Sequence, residues 1–171
     1  MSSRKFNWKS WFNKKKCENS FNFFLKKGEI KKEGERLYLS KSHMKKVDYN
    51  LGFINSLFKQ KKFYDWIIVG SYYAIYHASL ALLTSQGYSS KNHSATLCAL
   101  IYLFHDKLEK EDIELVSLSS LEKEEITYFV EAKEKRELVS YGIKGELNRN
   151  DAFELRLKAI EFVNRVREIL I

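Results

Sequence analysis

The stretch Trp66–Leu83 reads WIIVGSYYAIYHASLALL, and the fold is decided there. It is apolar nearly all round. A helix with no polar face is normally central and buried on several sides. The spacing predicts a helix over about Tyr64–Gln86, ended by Gly87. Gly70, Ala74, Ala78 and Ala81 recur at intervals of 3 or 4 residues, so a second helix can approach closely along that flank. No run reaches about 18 uncharged apolar residues, so no membrane-spanning helix is expected.

Outward toward the N-terminus, Val47, Leu51, Ile54 and Phe58 fall at helical spacing. They predict a helix over about Lys41–Lys61, capped by Ser40 or Ser42. Lys45, Lys46, Lys59, Lys61 and Lys62 lie mostly off that stripe. Residues 17–27 predict a short helix ended by Gly28, and residues 28–39 read as a connection. Outward toward the C-terminus, residues 89–92 read as a turn, and Ser90 or Asn92 can cap a helix over about His93–Phe104. Residues 106–118 are charged, then apolar, and fit no single element. Ser119 and Glu122 have capping-box spacing and open a helix to about Leu138, with Ile126, Phe129 and Val130 inward. Gly142 and Gly145 make the next break, and Asp151 with Glu154 is another capping pair. The last helix, to about Leu170, is expected to bury Leu155, Ala159, Phe162, Val163, Val166 and Ile169.

The expected fold is therefore all-α, an up-and-down helical bundle of four to five long helices. No strand-like alternation persists long enough to compete. The absence of proline permits long uninterrupted helices. With 171 residues the chain can bury a core without disulfides or a structural metal. Cys17 and Cys98 are too few for a disulfide framework or a metal cluster, and Cys98 reads as a small core residue. The N-terminus lacks the apolar run of a secretory signal, and a cytoplasmic location is expected.

The net charge of +8 is unevenly placed. Residues 1–62 hold 17 basic and 5 acidic side chains, whereas residues 63–171 hold 13 and 17. The first sixteen residues carry Arg4, Lys5, Lys9, Lys14, Lys15 and Lys16 and no acid, interleaved with Phe6, Trp8, Trp11 and Phe12. Three readings compete for this arm. It binds RNA phosphates while its aromatics stack on bases; it lies on an anionic membrane surface; or it is a solvated tail. RNA is preferred to a membrane as the partner. The expected organisation is a basic aromatic arm (1–16), a short helix and connection (17–40) and a helical bundle (41–171).

Tyr64-Asp65-Trp66, Ser71–Ala78, Ala81–Leu83, Gly87 and Lys91-Asn92-His93-Ser94 together resemble the HEPN domain family. The likeness is to small stand-alone prokaryotic and archaeal members, and it spans roughly residues 17–171. Arg136 through Tyr141-Gly142, followed by a polar linker and a helix with Ala159 and Phe162, has the family's closing layout. The resemblance implies an up-and-down bundle, often a homodimer, in a toxin–antitoxin-like or defence module beside a minimal nucleotidyltransferase partner. It further implies that active members are metal-independent endoribonucleases, marked by an arginine and a histidine four to six residues later.

Cleaving RNA without a metal needs a group to take the 2′-OH proton and a cation to hold the phosphate. Arg136 matches the family arginine, and a guanidinium can fork onto phosphate oxygens. Tyr141 stands where the motif has histidine, and no histidine follows Arg136. A phenol with a pKa of about 10 is a poor general base at neutral pH. Two function classes therefore stay open: an RNA-acting or RNA-binding protein, and a catalytically inert interaction subunit that binds the nucleotidyltransferase. Nucleotide binding in a bundle cleft is a third.

Asp65, His77, His93 and Ser94 are the candidate pocket residues. For three of them a plain structural role competes: a helix-start cap for Asp65, a hydrogen-bonded core or interface residue for His77, and capping of the turn for His93, which could instead face a pocket with Ser94. Tyr72, Tyr73 and Tyr76 read as packing. His43 and His105 have no evident partner in sequence. No pair has a sharp metal spacing, so neither a metal site nor a cofactor is expected.

Overall fold

The computed structural model describes residue 9 and residues 12–34, 37–117 and 149–171. Helix α1 (Lys14–Lys26) starts at Asn13, whose side chain accepts from the Lys16 backbone N–H at 3.3 Å. It ends where Gly28 takes a left-handed backbone, and it buries Cys17 and Phe21. Strand β1 (Ile30–Lys32) follows. After helices α2 (Leu37–Gln60) and α3 (Tyr64–Ser85) comes strand β2 (Tyr88–Ser90), which pairs antiparallel with β1, Ile30 opposite Ser90 and Lys32 opposite Tyr88. Helix α4 (His93–Phe104) is next. A further helix, α5, begins at 110 and is described through 117, and α6 (Arg149–Ile169) closes the chain.

Helix α3 is the centre. Its packing partners are α2, α6 and α4, while α1 lies on α4. Ile67, Ala74, Ile75, Ala78, Ala81, Leu82 and Leu83 are fully buried along it. Its hydroxyls survive there because each finds a carbonyl one turn back: Ser71 Oγ donates to Ile67 O and Ser79 Oγ to Ile75 O. Gly70 is a true contact point, since a Cβ there would run into Ile54 Cγ2 of α2. The small-residue flank thus carries the close helix approach expected of it. Against expectation, α3 is long and apolar enough to cross a membrane, but 72% of the qualifying window is buried inside the protein. Burial by neighbouring helices accounts for its composition.

Four local readings are corrected. Residues 28–39 and 89–92 are not only connection and turn, because they contain the β1–β2 ladder. Three-residue strands are too short to leave a period in the sequence. Helix α2 starts earlier than Lys41, and Ser40 is not its cap. Ser40 is buried inside the helix and donates to Ala81 O of α3 at 2.9 Å. Asp65 does not cap α3 either: the cap position is Phe63, whose left-handed backbone follows another at Lys61. Asp151 and Glu154 both lie inside α6, where Glu154 pairs with Lys158 at 2.6 Å instead of capping. By contrast, Asn92 caps α4 through Ala95 N at 2.8 Å.

The α2 stripe is buried at Val47, Leu51 and Ile54 and partly buried at Phe58. In α6 the buried residues are Ala152, Ala159, Phe162, Val163 and Val166, with Leu155 and Ile169 partly covered. Arg156 joins α6 to α2: its Nε donates to Asn55 Oδ1 at 2.8 Å and its guanidinium lies 4.6 Å from the Phe58 ring centre. Asp112 accepts from the Glu109 backbone N–H at the start of α5 and pairs with Arg165 of α6 at 2.9 Å. The extension before α2 is tied to the bundle. Asn92 Nδ2 donates to Glu29, and Ser89 Oγ donates to Glu33. The helix expected over Ser119–Leu138 and the break at Gly142 and Gly145 lie outside the described residues.

Candidate functional site

The conspicuous chemistry of the described residues is a chain of rings across α2, α3 and α4. In α3, Tyr72, Tyr73, Tyr76 and His77 recur at steps of 1, 3 and 4, so they share a side of the helix. Tyr72 is buried. Its hydroxyl stands 2.9 Å from His93 Nε2 at the start of α4. Burial and the neighbouring tyrosines raise the Tyr72 phenol above its ordinary range. The phenol therefore keeps its proton, and the tautomer of His93 sets which of the two groups donates. Tyr76 lies parallel to Tyr72 with ring centres 6.0 Å apart, and 4.6 Å from the His93 ring. Tyr73 leaves 39% of its surface exposed, the most open ring of the group.

On the other side of Tyr76, with ring centres 5.9 Å apart, stands His77, whose Nδ1 is 3.2 Å from His43 Nδ1 of α2. One Nδ1 must carry a proton and the other must accept it. Burial, with His43 and Lys46 nearby, lowers His77 to about 4, and burial and Lys46 lower His43 as well. Both rings are neutral at pH 7. As general bases they are weak, because a useful base titrates near the working pH. Stacking and hydrogen bonding suit this cluster better than proton transfer.

A stability prediction follows. The unfolded His77 binds a proton near pH 6.5 and the folded one only near pH 4. In that window the unfolded chain binds more protons, so stability falls as pH drops from about 6.5 to about 4. The loss from His77 is about 1–2 kcal/mol once partial solvent exposure is allowed for. Chemical denaturation of wild type and His77→Gln at several pH values checks this. The acid loss shrinks in the variant.

The four pocket residues expected from sequence are not all together. His77 and His93 meet across Tyr76. Asp65 is half-buried in the first turn of α3, about 18 Å along the helix axis from His77 at 1.5 Å per residue. Ser94 follows His93 and is half-buried. The reading of His43 as partnerless is corrected by its bond to His77, a pairing that depends on how two helices pack. His105 is exposed. Arg136, Tyr141, Arg4 and Lys5 lie outside the described residues.

Lys9, Lys14, Lys15 and Lys16 are exposed. The last three occupy the first turn of α1, which contains no acid. Cations there oppose the helix dipole, so a bound anion would relieve the repulsion and meet free backbone N–H groups. An open cleft of about 570 Å³ lies elsewhere, between the start of α2 and the ends of α3 and α6, with Lys41, Lys45 and Asp48 on its wall. Among the described residues no group of three or more His, Cys, Asp or Glu could hold a metal ion.

Set against known proteins, residues 40–169 match the family model described as HEPN domain. No curated protein and no solved structure matches the chain.

Proposed function

We propose that this chain, which belongs to the HEPN domain family, binds or acts on RNA in a toxin–antitoxin-like or defence module. The observation that carries the reading is the charge. Seventeen cations against five acids fall in the first 62 residues, joined to a bundle of that family. Lys14, Lys15 and Lys16 are solvent-facing and grip phosphates without reading bases. Arg136 forks onto a scissile phosphate, and Tyr141 takes the place of the motif histidine. The molecule works in the cytoplasm as a homodimer.

The experiment is RNA cleavage by the purified chain with and without EDTA, beside Arg136→Ala. Cleavage that survives EDTA and falls by about 10²-fold in the variant supports a metal-independent endoribonuclease, since removing a charge-stabilising donor costs that much. No cleavage by the wild type removes the enzyme and leaves RNA binding. A phenol in the histidine's place favours a second reading, a catalytically inert subunit that binds a minimal nucleotidyltransferase. Stable co-purification with that partner, together with no RNase activity, selects it. The lysine-edged cleft is of a size that holds a nucleotide. Calorimetry with ATP tests that third use.

A further inference from the structure

The arm accounts for six of the seventeen cations in the first 62 residues. Helix α2 carries several of the others. Along it Tyr38, Lys41, Lys45, Tyr49 and Phe53 follow one another at steps of 3 or 4, so they share one side of the helix. That side faces away from the buried stripe of Val47, Leu51 and Ile54. All five residues are exposed, Tyr38 by 63%, Tyr49 by 78% and Phe53 by 40%. We propose that this face of α2 is a docking surface for single-stranded RNA, on which the rings stack against bases while the lysines between them hold phosphates. The proposal rests on the RNA reading above and adds to it a second surface, on the bundle and separate from the arm.

Charge is the first ground. Helix α2 holds Lys41, Lys45, Lys46 and Lys59 and a single acid, Asp48. Asp48 is paired with Arg167 of α6 at 2.6 Å. A polyanion laid along the helix meets lysines and a neutralised carboxylate. The second ground is the open rings. Tyr38 and Tyr49 lie about 16.5 Å apart along the axis, at 1.5 Å per residue. Both offer flat faces to water on one side of the helix. Stacking of bases on such rings tolerates any sequence, because every base has a π-face. A duplex hides those faces, so the fitting partner is a single strand.

Gly52 is the third ground. A glycine inside a helix costs stability relative to alanine. Gly52 stands in the middle of α2, exposed, and nothing lies within 4 Å of a Cβ added to it. Its backbone is helical, so neither conformation nor packing calls for a glycine there. It comes three residues after Tyr49 and one before Phe53, on the same side. It leaves a bare strip of helix backbone between the rings, where a nucleotide can approach closely. A membrane fits the face less well. Ser42, Lys45 and Ser56 interrupt the rings, so no continuous apolar stripe is left to sink into lipid.

The test is fluorescence anisotropy of the full chain with a labelled oligouridylate, at low salt and over a salt series. Tyr49→Ala changes no charge and removes an exposed ring, so the fold is kept and affinity falls about fivefold or more. Lys41→Gln combined with Lys45→Gln flattens the slope of log affinity against log salt by about 1.4, at about 0.7 per phosphate contact. Gly52→Gln covers the bare strip with a good helix former. It melts no lower than the wild type yet binds the RNA several-fold more weakly, which separates a blocked surface from a damaged fold. If the wild type binds and both Tyr49→Ala and the double lysine variant keep its affinity and slope, the α2 surface is overturned and the RNA reading stands. A wild type that binds no RNA at the lowest salt overturns both. Vesicles of phosphatidylglycerol and phosphatidylcholine form a second arm. Vesicle binding lost in Tyr49→Ala, with RNA affinity intact, assigns the face to a membrane and overturns the proposal.

Discussion

Gly70→Val destabilises the bundle by roughly 3 kcal/mol or more, toward the upper end of overpacking costs. A helix interior ordinarily gains from losing glycine, by about 0.8–1.0 kcal/mol on going to alanine. At Gly70 the sign reverses. Even the first added carbon overlaps Ile54 Cγ2, and Ile54 is fully buried, so it has nowhere to yield. Gly70→Ala therefore loses about 1–2 kcal/mol net, and valine's two further carbons add to that. Gly52 in α2 is the internal control. It is exposed, nothing lies within 4 Å of its added Cβ, and Gly52→Ala should stabilise. Thermal unfolding ranks the three, at about 2–4 °C per kcal/mol for a chain of this size. A cycle with Ile54→Leu, which removes the offending methyl at equal volume, recovers part of the Gly70→Ala loss if the two side chains are coupled as described.

The second large effect is on RNA. Replacing Lys14, Lys15 and Lys16 together by glutamine weakens binding to single-stranded RNA by tenfold or more at low salt. Each phosphate contact contributes a slope of about −0.7 to log affinity against log salt, so three lost contacts flatten it by about 2. The variant helix should form at least as well, since three cations leave the positive end of the α1 dipole. Circular dichroism would then show unchanged helicity beside lost affinity, which separates a binding defect from a folding one.

The parts of the fold legible in the sequence were those with long, one-sided physics. Trp66–Leu83 announced a buried helix because it carries no charged residue and is apolar nearly all round, and Gly70 announced a close contact because small residues recur along one flank. His93–Phe104 is bounded by the asparagine that caps it. The errors fall where a residue type has two uses. Ser40 looks like a cap but spends its hydroxyl on Ala81 in the next helix. Asp151 and Glu154 have cap spacing but sit inside a helix that starts at Arg149.

The ring cluster was half legible. Tyr72, Tyr73 and Tyr76 are neighbours in one helix, so sequence could group them. Their contact with His93 and the meeting of His77 with His43 exist only once α4 and α2 dock on α3. No one-dimensional period encodes that. The charge imbalance could be counted directly. That Lys14–Lys16 stand in the first turn of α1 could not, because the helix begins before Cys17.

The affinity of the full-length chain for single-stranded RNA, measured by fluorescence anisotropy from about 50 to 200 mM salt, tests the account most directly. It predicts tight binding at the low end that weakens steeply as salt displaces lysine from phosphate. An RNA that does not bind at the lowest salt, or an affinity indifferent to salt, would contradict it.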